Sequence, residues 1–173
     1  MSLFGKSLIE LTDQDIGQII GVAEDSTVEF KRDLEIDAQG KIRDATRNKI
    51  AREIVAFANA DGGAVVIGID ENEEQPHRAI SVCPIPNCED FADRLRRAIY
   101  EIVEPKIPML AVRAIRTNGT DGVIIASVPK SMRAPHRVEP FKECFRRVAD
   151  ESRPMSMREI QEMSKRCCGP TFF

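Results

Sequence analysis

Glu24 and Glu29 stand five residues apart with the turn-like pair Asp25-Ser26 between them, so both carboxylates can face one pocket if the chain bends before the strand that follows. Asp70 supplies a third carboxylate at the exit of an apolar run, where side chains commonly line sites in mixed sheets. Three converging carboxylates form an all-oxygen donor set for a hard cation. Mg²⁺ or Mn²⁺ held there would activate water against a phosphodiester. Acids at strand ends are also common on solvated surfaces, so spacing alone leaves a charged rim as the other reading.

The cations that would hold such a substrate lie later in the chain. From Lys130 to Arg147, six basic residues (Lys130, Arg133, Arg137, Lys142, Arg146 and Arg147) meet two acids. Residues 1–40 reverse the balance, with Lys6, Lys31 and Arg32 against nine acids. A basic loop beside an acidic pocket suits a phosphodiester, because cations hold the backbone while carboxylates hold metal. Arg43 and Arg47 belong to the same argument. At helical spacing they continue the stripe of Ile50, Ile54 and Phe57, yet guanidinium groups cannot extend a dry core. The first turns of that helix are therefore expected to overhang the sheet edge, with both arginines aimed at an anion or at internal partners such as Asp33 or Glu35.

Other chemistries lack their residues. There is no GxxxxGK[ST] and no dinucleotide fingerprint around Gly62-Gly63 and Gly68, so no nucleotide cofactor is expected. No GxSxG elbow is present, and the two histidines, His77 and His136, fall in loops. Cys83, Cys88, Cys144, Cys167 and Cys168 show no paired CxxC spacing, which leaves a zinc site from Cys83, Cys88, Cys144 and one histidine as the weaker metal alternative. With no Trp and one Tyr, stacking platforms for single strands are scarce.

The elements that must position these groups fit a single unit. A length of 173 residues allows one domain, read as residues 9–166 between an N-terminal arm (1–8) and a C-terminal tail (167–173). At 42% hydrophobic and 31% charged the chain can pack a core, and its net charge of −3 excludes a generic basic glue for nucleic acid. No apolar run approaches the roughly 18 residues of a membrane span, and the odd cysteine count suits a reducing compartment, so the expectation is cytoplasmic.

Thr12 and Asp15 read as the cap of a short helix in which Ile16, Ile19 and Ile20 recur at helical spacing; the 27–31 run then alternates as a half-buried strand. The longest helix is expected over 42–60, followed by a central strand over 64–69 and a short strand over 78–83. A second long helix, capped by Asn87, runs to about Val103, and Pro105 and Pro108 prevent its continuation. Strands near 110–116 and 123–128 share the hairpin signal Thr117-Asn118-Gly119, another strand covers 143–148, and Ser156 to Glu159 is a capping box.

In this order the segments resemble the Schlafen AlbA-like (AlbA_2) domain family. The matching residues are Glu24 to Lys31, the stretch Ile54 to Gly63 running into Ala64 to Asp70, Val128 to Ser131 with Pro135-His136, and Phe145 to Val148. The resemblance runs from about Ile9 to Met163. It implies an α+β fold, a single domain whose mixed β-sheet is flanked by two long helices, and a nucleic-acid-binding role. In the family's nuclease members an ExxxxE pair and an aspartate after the glycine-led strand form a metal-dependent RNase site for structured RNA such as tRNA. By position these are Glu24, Glu29 and Asp70, with Lys31 and Lys130 as accompanying basic residues.

Two positions depart from the pattern. Asn72 to Pro76 replace a glycine soon after the acidic turn, and Arg147-Val148-Ala149 stands where Arg-Val-Gly is usual. Schlafen cores pair two such lobes in a clamp, so one lobe implies a homodimer. The leading expectation is a divalent-metal endoribonuclease, RNA ahead of DNA, with phosphates gripped by Lys31, Arg43, Arg47, Lys130, Arg133, Arg146 and Arg147. The alternatives are a non-catalytic binding or regulatory module, and an interaction protein that docks a partner through its tail.

Overall fold

The computed structural model describes residues 2–3, 6–7 and 10–167, so the tail beyond Cys167 lies outside the described residues. The chain begins β1 (Ser2–Leu3), β2 (Lys6–Ser7), α1 (Asp13–Gly17), β3 (Val28–Lys31), α2 (Asp44–Ala58) and β4 (Gly62–Ile67). It continues β5 (Ile69–Glu71), β6 (Ala79–Val82), α3 (Cys88–Ile102), β7 (Val103–Glu104), β8 (Ala111–Asn118) and β9 (Asp121–Pro129). It closes with β10 (Arg137–Val138), β11 (Glu143–Val148), β12 (Glu151–Pro154) and α4 (Met157–Cys167). Among the described residues no helix is long and apolar enough to cross a membrane.

The central sheet has the order β3-β4-β9-β8. It is mixed: β3 and β4 are parallel, with α2 as their crossover, while β9 runs antiparallel to both β4 and β8. Every residue of β4 is buried, because the sheet is covered on both faces. Val65, Ile67, Ile124 and Ala126 face the core shared with α2 and α3. Ala64, Val66, Val123 and Ile125 face a second core closed by Leu11, Ile16 and Ile19 around α1. A second sheet, β12-β11-β10-β7, packs its β11 across α2 and so carries the basic segment to the far side of that helix.

Local chemistry explains most boundaries. Asp15 accepts from both the backbone N–H and the hydroxyl of Thr12 at 2.9 Å, and Glu159 accepts the same pair of bonds from Ser156 at 2.8 Å. The apolar run expected as one strand to Ile69 breaks at Gly68, whose φ of +101° turns the chain so that β5 leaves the sheet and pairs with β6.

Three expectations need correction. The β3 segment is not half-buried: Val28, Glu29 and Phe30 are all inside, since Glu29 finds charged partners there. Ile20 is 43% exposed, because α1 ends at Gly17 and the helical period runs out. Asn87 does occupy the N-cap position of α3, but in the left-handed region (φ 47°), and its side chain makes no cap bond. Of the two readings left open for Arg43 and Arg47, the structure shows internal partners: Arg43 pairs with Glu35 at 3.6 Å and Arg47 with Asp44 at 3.0 Å.

Candidate functional site

The pocket around the glutamates is built where β3, α2, β5 and β12 approach one another. Asp25 forms the turn before β3 by accepting the N–H groups of Thr27 (2.6 Å) and Val28 (3.0 Å). The bend brings Glu24 back over the strand, where one of its oxygens accepts the Phe30 N–H at 2.6 Å, a donor exposed by the position of β3 at the sheet edge. Glu29, on β3, accepts from the Lys31 ammonium at 2.5 Å and from the Arg147 guanidinium at 2.7 Å. Glu53 arrives from α2 and also accepts from Arg147 (3.3 Å) and from the Ser152 hydroxyl. These groups, with Glu71, His77, Asp150 and Glu151, line a pocket of about 320 Å³.

Arg147 is the keystone of this wall. Its side chain is 1% exposed, donates to the Asp25 carbonyl at 3.0 Å and lies 4.9 Å from the centre of the Phe57 ring. The sequence reading placed Arg147 on phosphate; the structure assigns it to Glu29, Glu53 and backbone oxygens, because a buried guanidinium must be fully paired.

Electrostatics follow from this crowding. Burial, with the Glu29 and then the Glu71 carboxylate, pushes Glu24 up to about 8 against the pull of the Phe30 N–H. Burial draws the Lys31 ammonium down, but Glu29, Glu24 and Glu53 outweigh it and the group ends above its ordinary value. His77, bonded to the Asn72 carbonyl at 2.9 Å and facing Glu71, Glu24 and Asp150, is raised as well.

Glu24 and Glu29 come together as their spacing suggests, but the carboxylate that β5 adds to the pocket is Glu71. Asp70 pairs with Arg32 (3.4 Å) and does not line the pocket, whereas Glu71, across a register shift in the β5–β6 ladder, does. One Glu71 oxygen is buried without a partner among the described residues. The donor set suits a hard cation in kind, and that orphaned oxygen fits one. Among the described residues, however, no three His, Cys, Asp or Glu side chains form a ready-made metal cage. Cys83, Cys88 and Cys144 are free thiols and join no such group.

The basic residues divide. Lys130 and Arg146 line a neighbouring groove of about 390 Å³ that shares Arg147 as a wall with the carboxylate pocket. Lys130 pairs with exposed Asp61 at 2.8 Å, Arg133 is exposed, and Arg146 reaches Glu159 at 3.3 Å while its buried Nε has no acceptor among the described residues. Arg43 and Arg47 border neither space.

The loop carrying Lys130 and Arg133 is fixed by residues that sequence reasoning left aside. His136 is fully buried; its Nδ1 donates to the Pro105 carbonyl at 2.6 Å, which leaves Nε2 to accept the Ser131 hydroxyl at 2.7 Å. Burial holds its imidazole below the usual range. Asn59, at the end of α2, donates to the His136 and Phe145 carbonyls at 2.8 Å and accepts the His136 N–H at 2.7 Å. An amide inside an otherwise apolar helix end was the available signal for Asn59. Nothing local marked Glu53.

Comparison with known proteins places this arrangement. The family model described as Schlafen, AlbA_2 matches residues 24–156. The DIP2311 protein from Corynebacterium diphtheriae matches in structure with a TM-score of 0.53 and 23% identity, over 80% of this chain and 23% of that one. This chain thus spans about a quarter of that protein's length, and the likeness is one of fold. The N-terminal domain of a RecG-related protein from Nitrosomonas europaea matches with a TM-score of 0.43 and 16% identity, over 68% of this chain and 70% of that one. No curated protein matches the sequence.

Proposed function

Because the chain belongs to the Schlafen AlbA_2 family of nucleic-acid-binding modules, we propose that it binds structured RNA and cleaves its backbone at the pocket of Glu24, Glu29 and Glu71. The observation that carries this reading is the convergence of Glu24, Glu29 and Glu71 on one pocket, with one Glu71 oxygen buried and without a partner among the described residues. Burial and the other two carboxylates push Glu24 up to about 8, a crowding that an added cation would relieve. Mg²⁺ or Mn²⁺ bound by these three would lower the pKa of a water and neutralise charge on the phosphodiester.

The chain's own residues do the rest. Lys31 and Arg147 fix the Glu29 carboxylate, so it meets a substrate without reorganising. Lys130, Arg133 and Arg146 are offered as phosphate contacts beside the shared Arg147 wall. The second reading, a binding module without cleavage, is favoured by one feature: both Glu29 oxygens already serve cations of the protein.

A cleavage gel separates the two. Labelled tRNA, single-stranded RNA and duplex DNA are incubated with Mn²⁺, Mg²⁺ or EDTA, wild type beside Glu71→Gln. Metal-dependent cutting of RNA that is lost in Glu71→Gln is the expected result. Intact substrate with a salt-sensitive mobility shift leaves the binding module.

A further inference from the structure

A cleft of opposite polarity lies on the other side of α2. It measures about 310 Å³ and is lined by Lys41, Arg47, Arg94 and Arg97, with Ile42 and Ala98 beneath and Glu101 as its acid. Arg47 and Glu53 are six residues apart on one helix, about 240° around its axis, so this cleft and the carboxylate pocket use different faces of α2.

The cleft is held in shape. The Asp37 carboxylate accepts the N–H groups of Gln39 (3.0 Å) and Lys41 (2.8 Å), and Arg94 from α3 donates to the Gly40 carbonyl at 2.6 Å, tying this turn to the helix. Two of the four cations are matched: Arg94 by Asp90 at 2.8 Å and Arg47 by Asp44 at 3.0 Å. Among the described residues no carboxylate pairs with Lys41 or Arg97, and Arg97 gives only its Nε–H to the Asp93 carbonyl. In a chain with more acids than bases, two cations kept unpaired at one preformed cleft call for an anion from outside.

We propose that this cleft is a second phosphate-binding site, in which Lys41 and Arg97 hold the backbone of a nucleic-acid strand away from the carboxylate pocket. It rests on the nucleic-acid reading above but not on cleavage. Point-charge contacts of this kind carry no base preference, and they weaken as salt rises.

The test is fluorescence anisotropy with a 5′-labelled 20-nucleotide single-stranded RNA in EDTA, over a salt series. Lys41→Glu/Arg97→Glu is expected to raise Kd at least about tenfold at low salt. It should also reduce the slope of log K against log salt by about 1.4, roughly 0.7 for each lost contact. Both side chains are exposed, so an unchanged melting temperature verifies folding; Lys41→Gln/Arg97→Gln gives the same readout with less perturbation. Wild-type Kd and slope in the double variant overturn the proposal even if the protein cleaves RNA. A weakened double variant of a protein that cuts nothing supports the cleft and removes the nuclease reading. Inorganic pyrophosphate that shifts the Lys41 and Arg97 amide resonances while leaving RNA anisotropy unchanged assigns the cleft to a free anion and overturns the strand site.

Discussion

Glu24 enters neutral solution as a carboxylic acid. Its ordinary value of 4.5 rises to about 8 on folding, so between these limits the native chain retains a proton that the unfolded chain has released. Stability from this group therefore falls as pH rises through that window and levels off above it. We expect calorimetry to show a lower melting temperature at pH 9 than at pH 6, with the drop reduced in Glu24→Gln; about 1 kcal/mol corresponds to roughly 2–4 °C in a chain of this size. A parallel fall in both proteins removes Glu24 as its source. The neighbouring pair Asp70 and Glu71 makes a sharper contrast. Glu71→Gln should lower RNA cleavage on the order of 10²-fold or more. Asp70→Asn breaks only a partly exposed bridge to Arg32 and should leave the rate within about threefold on the same gel. Equal losses would return Asp70 to the site.

At the scale of elements, β11 and β12 matter through what they press against α2. Arg147→Ala would leave Glu29 and Glu53 as buried carboxylates without their shared cation, a loss of about 3–5 kcal/mol expected in urea denaturation. The turn between these strands holds a smaller cost. Ala149 sits at φ 55°, in the left-handed region that favours glycine, and Ala149→Gly should raise the urea midpoint. Relief of about 1 kcal/mol is offset in part by the freer unfolded chain, so the net gain is a few tenths to 1 kcal/mol. An unchanged or lower midpoint would show that the left-handed turn carries no strain.

These elements also show how far a sequence can be read. The helices α2 and α3, the buried run of β4, the hairpin and both capping boxes carry their period or cap chemistry in adjacent residues. The short strands β7, β10 and β12 have no period of their own and exist because a partner strand lies beside them. The site divides in the same way. Glu24 and Glu29 were legible because one turn joins them. The pairing of Arg147 with Glu53, 94 residues apart, leaves no local trace, and neither does the course of β5 after the bend at Gly68, which puts Glu71 in the pocket lining and Asp70 outside it.

For the whole molecule, we propose that the chain pairs with a second copy in the two-lobed clamp that the family resemblance implies. Light scattering at micromolar concentration should give twice the chain mass, and a monomeric mass would dispose of the clamp. Either assembly inherits the junction at which His136, Ser131, Asn59 and the Pro105 carbonyl lock the Lys130 loop onto the end of α2. That junction sets a clock. The His136 amide is buried and donates to a side chain, so it exchanges with heavy water only when the whole loop lifts away. Its exchange rate thus counts how often the loop bearing Lys130 and Arg133 leaves its place. A slow rate means that these two cations meet a ligand already held in position, with little freedom left to lose on binding.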